Sequence, residues 1–430
     1  MSRANSEQWA AGHGQPAGLE FWRRLGPLAW FWFLTAQSSL LDASDWPQFL
    51  GPNRSGVSTD TGLANSWPKN GPPLVWEKKI GEGYSGPVVA SDRIIVFYRA
   101  GDKDVLRCLD TAEGGERWRF EYATNYQDDL GKGDGPRSTP LIAGKHVYAL
   151  AADGRLHCLT LDKGEKVWDR SLNTEYQVRK GFFGAATSPI VEGNKLLVNV
   201  GGKDAGIVAF DKDTGQELWK ATDHEASYSS PVAATIDGVR HVLFFTREGI
   251  VSINPDDGAV RFSKRWRARI NASVNAATPL IVKDEAFFSA SYDTGAILIR
   301  VRKDSFEELW KNDESMSNHY NTCVYGDGHL YGIDGRQEGG ARLRCVEWKT
   351  GKVKWTTEDF GCASIILADG KLIMLTEAGD LVLAEATPAA YREKARVSLL
   401  SRFSRAPIAL ANGKLYARDD KRVICLNLKK

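Results

Sequence analysis

From about residue 74 onward the chain is a succession of short apolar runs separated by tight polar turns. His146-Val147-Tyr148-Ala149-Leu150, Lys195-Leu196-Leu197-Val198 and Ile207-Val208-Ala209-Phe210 are of strand length. Turns such as Ala143-Gly144-Lys145, Glu192-Gly193-Asn194 and Ala411-Asn412-Gly413 punctuate them. Runs of this kind, bounded by Gly, Asn and Asp, read as β-strands joined by hairpins.

The pattern recurs. Each unit opens with small or hydroxyl residues before a Pro and two apolar residues, as in Ser138-Thr139-Pro140-Leu141-Ile142 and Thr187-Ser188-Pro189-Ile190-Val191. With Pro87, Pro140, Pro189, Pro231, Pro279, Cys323, Ser364 and Pro407 as markers, the steps are 53, 49, 42, 48, 44, 41 and 43 residues. A strand-bearing repeat of this period indicates a propeller or an array. A third strand in each unit leads through a tight turn to a Trp, most cleanly in Asp211-Lys212-Asp213-Thr214-Gly215-Gln216-Glu217-Leu218-Trp219. Trp118, Trp168, Trp310 and Trp355 hold the same place, and Phe262 replaces the Trp in the fourth unit. The eighth unit ends at Val423-Ile424-Cys425-Leu426-Asn427 with no Trp after it, and Pro73-Leu74-Val75-Trp76-Glu77 supplies the missing strand from the other end.

These patterns predict an all-β, eight-bladed β-propeller over residues 45–430, with the N-terminal strand closing the last blade and so removing a free sheet edge. The repeat overrides the soft expectation of about three domains that length alone suggests. Trp76, Trp118, Trp168, Trp219, Trp310 and Trp355 are expected to dock neighbouring blades, since a flat indole buries a large apolar area.

Residues 1–44 read as a signal peptide and leader. Arg23-Arg24 precede an apolar run from Leu25 to Ala36, 12 residues long. That is short for a bilayer span and right for the apolar core of a secretory signal. Cleavage is expected after Ala36 or Ala43. The first Cys is Cys108, so no lipid-anchoring Cys follows the apolar run. A periplasmic or secreted product without a stable membrane anchor is the expectation.

Fifty-six Lys and Arg against 54 Asp and Glu leave a net charge of +2, which speaks against a nucleic-acid partner. Cys108, Cys158, Cys345 and Cys425 fall at one equivalent position on the third strand of four blades and read as small buried hydrophobes. Cys323 and Cys362 lie near the starts of adjacent first strands, which leaves a disulfide open in an oxidising compartment. The seven His show no zinc-ligand spacing. Asp211–Gly215 lacks the Gly and Glu positions of a calcium loop. No nucleophile elbow or phosphate loop appears.

The loops before each first strand should rim the axial funnel. They carry Arg137, Phe183, His224, Tyr228, Asn271, Asn275, His319, Tyr320 and Arg405. These polar and aromatic groups are the candidate ligand contacts. Arg137, Asn275 and His319 are expected at the centre, with a protein or a polar or anionic ligand as partner. No catalytic or metal-binding residue is singled out.

The Asp-x-x-Thr-Gly-x-x-x-Trp ending resembles the docking motif of the pyrroloquinoline quinone (PQQ) repeat family, which includes the quinoprotein dehydrogenases and the BamB-like outer-membrane assembly propellers. Asp45-Trp46-Pro47-Gln48-Phe49-Leu50-Gly51-Pro52-Asn53-Arg54-Ser55-Gly56-Val57-Ser58 resembles the opening segment of secreted PQQ-binding-like propellers. The resemblance covers roughly residues 45–428 and implies either a non-catalytic binding or scaffold propeller or a PQQ-dependent dehydrogenase of alcohols or sugars. The dehydrogenase reading requires PQQ with calcium, a carboxylate base and usually adjacent Cys residues. The adjacent Cys pair is absent, so no cofactor is expected, with PQQ and calcium the alternative.

Overall fold

The computed structural model describes residues 44–268, 270 and 274–430. The leader assigned to residues 1–44 therefore lies, but for Ser44, outside the described residues, and so does Asn271. Among the described residues, 32 strands form eight antiparallel four-stranded sheets. Blades 1 to 7 follow the chain in order, over residues 88–123, 141–171, 190–221, 232–265, 280–312, 324–357 and 363–398. Blade 8 takes its three inner strands from residues 409–427 and its outer strand, Leu74–Lys79, from the other end of the body. Trp76 pairs with Cys425 and Lys79 with Arg422 across that junction. The expected closure is therefore the observed one.

The docking motif works between blades. Each indole N–H reaches a carbonyl in the next blade's turn: Trp76 to Thr111, Trp118 to Leu161, Trp168 to Lys212, Trp219 to Pro255, Trp310 to Trp348 and Trp355 to Thr387, at 2.9–3.3 Å. Trp76, Trp118 and Trp168 are buried and the other three half-buried. The turn Gly is needed twice over. Gly215 sits at φ +73, and a Cβ there would lie 2.7 Å from Trp168 Cδ2. Gly114, Gly164, Gly258 and Gly351 meet Trp76, Trp118, Trp219 and Trp310 in the same way. The Gly of one unit thus serves the Trp of the unit before it. Where blade 4 has Phe262 in place of Trp, the turn of blade 5, Arg302-Lys303-Asp304-Ser305, has no Gly, and Phe262 packs on Phe306 instead at 5.2 Å. Blade 7 has Ala395 at the Trp place. The next blade has no such turn there, because the chain ends interrupt it.

Cys108, Cys158, Cys345 and Cys425 stand directly opposite Trp118, Trp168, Trp355 and Trp76 on the paired strand. A small apolar side chain fits beside a bulky indole there, and desolvation pushes the Cys108 and Cys158 thiols up to about 12. All six cysteines are buried and free, Cys323 and Cys362 included.

Two devices hold the axis together. From blade 2 to blade 6 the Ser or Thr just before the first strand accepts a hydrogen bond from the equivalent backbone N–H of the preceding blade. Gly86 donates to Thr139 Oγ1, Thr139 to Ser188, Ser188 to Ser230, Ser230 to Thr278 and Thr278 to Thr322, all at 2.9–3.1 Å. The repeated Ser or Thr at this place is therefore an arc of hydrogen bonds around the axis from blade 1 to blade 6.

The second device is the segment 44–64, which crosses the axis. Trp46 exchanges both backbone hydrogen bonds with Val89 of blade 1, and Pro47 accepts from Ile142 of blade 2. Gly56 and Ser58 pair with Leu367 of blade 7. Ser44 and Asp60 tie to Asn412 and Gly413 in blade 8. Between them Arg54, 2% exposed, donates to Gln48 Oε1 and to the carbonyls of Ser188, Pro189 and Pro231 in blades 3 and 4. Burial draws its pKa down to about 9, so the guanidinium is charged at neutral pH. Innermost strands carry free N–H and C=O groups toward the axis, and such groups are costly when buried without partners. The segment satisfies them and closes the channel at the end away from the funnel.

Candidate functional site

In each antiparallel blade the outer strand ends where the next blade's first strand begins. All crossover loops therefore leave on one face, joined there by the hairpins between second and third strands. With the far end closed by residues 44–64, the funnel on this face is a blind cup.

The cup wall is a band of arginines and aromatic rings. The Arg137 guanidinium carbon lies 5.6 Å from the Tyr84 ring, 5.9 Å from Tyr126 and 5.6 Å from Phe183. Arg405 lies 5.9 Å from the same Tyr84 ring and 5.8 Å from Tyr320. Tyr84 is thus held by two cations, a stabilising arrangement over a π-face. Phe183 continues to Tyr228 at 5.8 Å, and the Phe183 N–H donates to Tyr228 Oη. On the other side Tyr320 leads to His319 and Tyr292, each step 5.6 Å. Six of the nine candidate residues, Arg137, Phe183, Tyr228, His319, Tyr320 and Arg405, are drawn together in this band.

Its charges are largely answered within the protein. Arg137 pairs with Asp128 at 2.5 Å and also donates to the Gly133 and Gly135 carbonyls. Arg405 pairs with Glu377 at 3.0 Å, and Tyr320 Oη donates to the same carboxylate. Burial raises the pKa of Tyr84 and Tyr228 and pushes Tyr126 up to about 12, so these phenols stay protonated. Desolvation lowers His319, more than its bond to Gln337 raises it. With Gln337 Oε1 accepting from Nδ1 at 2.9 Å, the neutral ring turns Nε2 toward Tyr292 Oη at 3.4 Å.

The other three candidates stand differently. Asn275 is buried; its amide donates to the Thr246 carbonyl, and its own carbonyl accepts from Tyr228, Ser229 and Ser227. It ties the loop of blade 5 to that of blade 4. His224 Nδ1 meets Thr246 Oγ1 at 2.9 Å. Asn271 lies outside the described residues.

Sequence reasoning missed Tyr84, Tyr126, Asp128, Glu377 and Tyr292. Glu377 and Tyr292 lie between second and third strands, whose hairpins share the face with the crossover loops. The repeat itself carried that signal. It also missed a cleft of about 820 Å³ beside the funnel, between the loops at 129–130 and 177–187, the blade 3 hairpin at 199–203 and residues 223–228. Leu130, Arg179, Phe182, Lys203 and Arg247 line it. The Thr187 hydroxyl in its wall is buried without a hydrogen-bond partner.

A calcium ion needs 6–8 oxygen ligands. Two carboxylates of the cup wall, Asp128 and Glu377, are each taken by an arginine. Among the described residues no group of three His, Cys, Asp or Glu is placed to hold a metal.

A family model described as outer membrane protein assembly factor BamB matches residues 68–203 and 175–357. The chain is 21% identical over 233 residues to the outer membrane protein assembly factor BamB of Burkholderia pseudomallei, covering 54% of this chain and 56% of that protein. It is 27% identical over 163 residues to the quinoprotein alcohol dehydrogenase PedH of Pseudomonas putida, covering 36% of this chain and 26% of that one. The chain thus spans about half of the first relative and a quarter of the second. Among solved structures, BamB from Moraxella catarrhalis superposes with a TM-score of 0.58 at 15% identity, over 83% of this chain and 98% of that one. The quinohemoprotein alcohol dehydrogenase of Comamonas testosteroni gives 0.62 at 13% identity, over 90% and 81%. At such identities the superpositions speak for the fold alone.

Proposed function

Since the chain belongs to the PQQ-repeat propeller family described as outer membrane protein assembly factor BamB, we propose that it is a non-catalytic binding or scaffold propeller of the periplasm or cell exterior. It recognises a protein or a polar ligand in its cup. The observation that carries this reading is the internal pairing of Arg137 with Asp128 and Arg405 with Glu377 around Tyr84. Alcohol oxidation on a quinone requires a carboxylate free to take the substrate proton and a cation on the quinone. Here the two carboxylates paired into the aromatic wall, Asp128 and Glu377, are committed to arginines. Such a wall is rigid and pre-ordered, which favours binding, because little side-chain entropy is left to lose.

The experiment is a titration of the purified protein with PQQ and calcium, followed by absorbance and a dye-linked assay on alcohols and sugars. No saturable spectral change and no turnover are expected. Turnover that depends on both additions would establish the dehydrogenase instead.

A further inference from the structure

Nine large hydrophobic side chains are exposed among the described residues. Five of them, Leu74, Val75, Val167, Leu218 and Val260, lie on outer strands around the rim. The other four, Leu130, Phe182, Ile270 and Phe403, sit on four different crossover loops, and so all on the funnel face. Their exposures run from 37% to 67%. Phe403 is the most exposed and has φ +70, a backbone conformation that bulky residues rarely adopt. Backbone strain of this kind persists where the surroundings hold it and clusters at functional positions. Here the Phe403 N–H is held by the Glu377 carbonyl.

Charge follows the same division. The loop of Leu130 carries Lys132, that of Phe182 carries Arg179 and Lys180, that of Ile270 carries Arg267, and that of Phe403 carries Arg402 and Arg405. Lys132, Arg179 and Arg402 are exposed and form no ion pair among the described residues. The acids in these loops are mostly neutralised in place: Asp128 by Arg137, Asp129 by Lys180 and Glu175 by Arg170. The four crossover loops without an apolar tip carry acids and no Lys or Arg: exposed Asp223 and Glu225, Asp313 and Glu314, Glu358 and Asp359, with Glu82 half-buried in the fourth. Apolar tips and unpaired cations therefore coincide, loop by loop, on one face.

We propose that this face is a peripheral docking surface for an anionic lipid bilayer. Apolar side chains beside Lys and Arg are what an interfacial element needs. The apolar groups enter the head-group and acyl boundary, while the cations meet lipid phosphates. The tips at Phe403, Leu130 and Phe182 belong to loops entering blades 8, 2 and 3, so they form an arc on one side of the cup. The cleft between Leu130 and Phe182, about 820 Å³ with Arg179 and Lys203 on its walls, is large enough to seat a phospholipid head group. The proposal goes beyond the cup reading and does not depend on what the cup holds.

The test is co-sedimentation of the full protein with phosphatidylcholine vesicles, with and without phosphatidylglycerol. Folding of each variant is checked by its thermal melt. Binding to the anionic vesicles is expected, weaker by at least about tenfold on phosphatidylcholine alone, and screened by salt. Phe182→Ser with Phe403→Ser should weaken it by at least about tenfold, and Lys132→Gln with Arg179→Gln and Arg402→Gln by a similar factor. Leu218→Ser with Val260→Ser removes equally exposed side chains from the rim and should leave binding unchanged. Failure of the folded protein to sediment with anionic vesicles overturns the proposal. So does equal loss from the rim control, or mapping of the same tips to the interface of a protein complex in the absence of lipid binding.

Discussion

The contact between the turn Gly of one blade and the Trp of the blade before it can be measured as a coupling energy. Gly215→Ala faces two penalties. Its φ of +73 is left-handed, which costs an L-residue about 1–2 kcal/mol. Its Cβ would also lie 2.7 Å from Trp168 Cδ2 and 2.8 Å from Cε3, an overpacking that costs about 1–3 kcal/mol more. Gly193→Ala isolates the first penalty, because that Gly has φ +62 and nothing within 4 Å of its added Cβ. Trp168→Ala loses a buried indole and its bond to the Lys212 carbonyl, for about 3–5 kcal/mol. In the double variant the Cβ of residue 215 has no ring to strike, so only the backbone term remains. The double should be less destabilised than the sum of the singles by about 1–3 kcal/mol, the overpacking term. Equilibrium denaturation of the four proteins and the Gly193 control reads this directly. If Gly215→Ala costs no more than Gly193→Ala, or if the cycle is additive, the turn does not serve the neighbouring Trp and the docking account fails.

Three further outcomes are expected. Asp104, 2% exposed beside Arg99 and Tyr122, has its pKa raised by burial from 3.8 to about 6. Its folded form holds a proton that the unfolded form has released, so this group's contribution to stability falls as pH rises from about 4 to 6, by about 3 kcal/mol in all; Asp104→Asn should flatten that part of a stability–pH curve, and an unchanged slope would exclude Asp104 as its source. Arg54→Met removes a guanidinium with four acceptors and strands three buried carbonyls of blades 3 and 4, so a loss of about 3–5 kcal/mol is expected in denaturant melts; a loss under about 1 kcal/mol would show the axis does not need it. Glu377→Gln leaves Arg405 without a counter-charge, and Arg137 and Arg405 both flank Tyr84; the phenol should titrate at lower pH by ultraviolet absorbance, and an unshifted titration would mean the paired charges do not govern the cup.

The blades, their order and their closure were legible because each repeats a local requirement. Pro starts a first strand, Gly makes a turn, and an indole needs a neighbour. The equivalence of Cys108, Cys158, Cys345 and Cys425 was visible, but its cause, a Trp across the ladder, needed the register. The cup was legible only in part. Residues just before the first strands could be named from the repeat, whereas Asp128 and Glu377 sit in loops that vary from blade to blade. Their roles come from which arginine each meets. Asn275 shows the reverse case: a polar residue at the right place whose side-chain NH2 and backbone carbonyl join two loops. Arg54 carried no periodic signal at all, since residues 44–64 occur once and act on carbonyls more than a hundred positions away.

That long reach has a consequence for the order in which the protein can be assembled. Ser44 bonds to Asn412 across 368 positions, and the outer strand at 74–79 waits for its partner at 422–427. The earliest part of the body to be synthesised is thus among the last to find its place. Closing loops of this length carries an entropic cost that must be met before any contact rewards it. Until the final residues arrive, blade 1 has no blade 8 beside it, Trp76 has no Cys425, and Ser44 and Asp60 have no Asn412 and Gly413. A chain stalled or clipped before residue 422 would therefore be an open arc in which strands 74–79 and 414–418 have unpaired edges, a species prone to aggregate, rather than a slightly smaller ring.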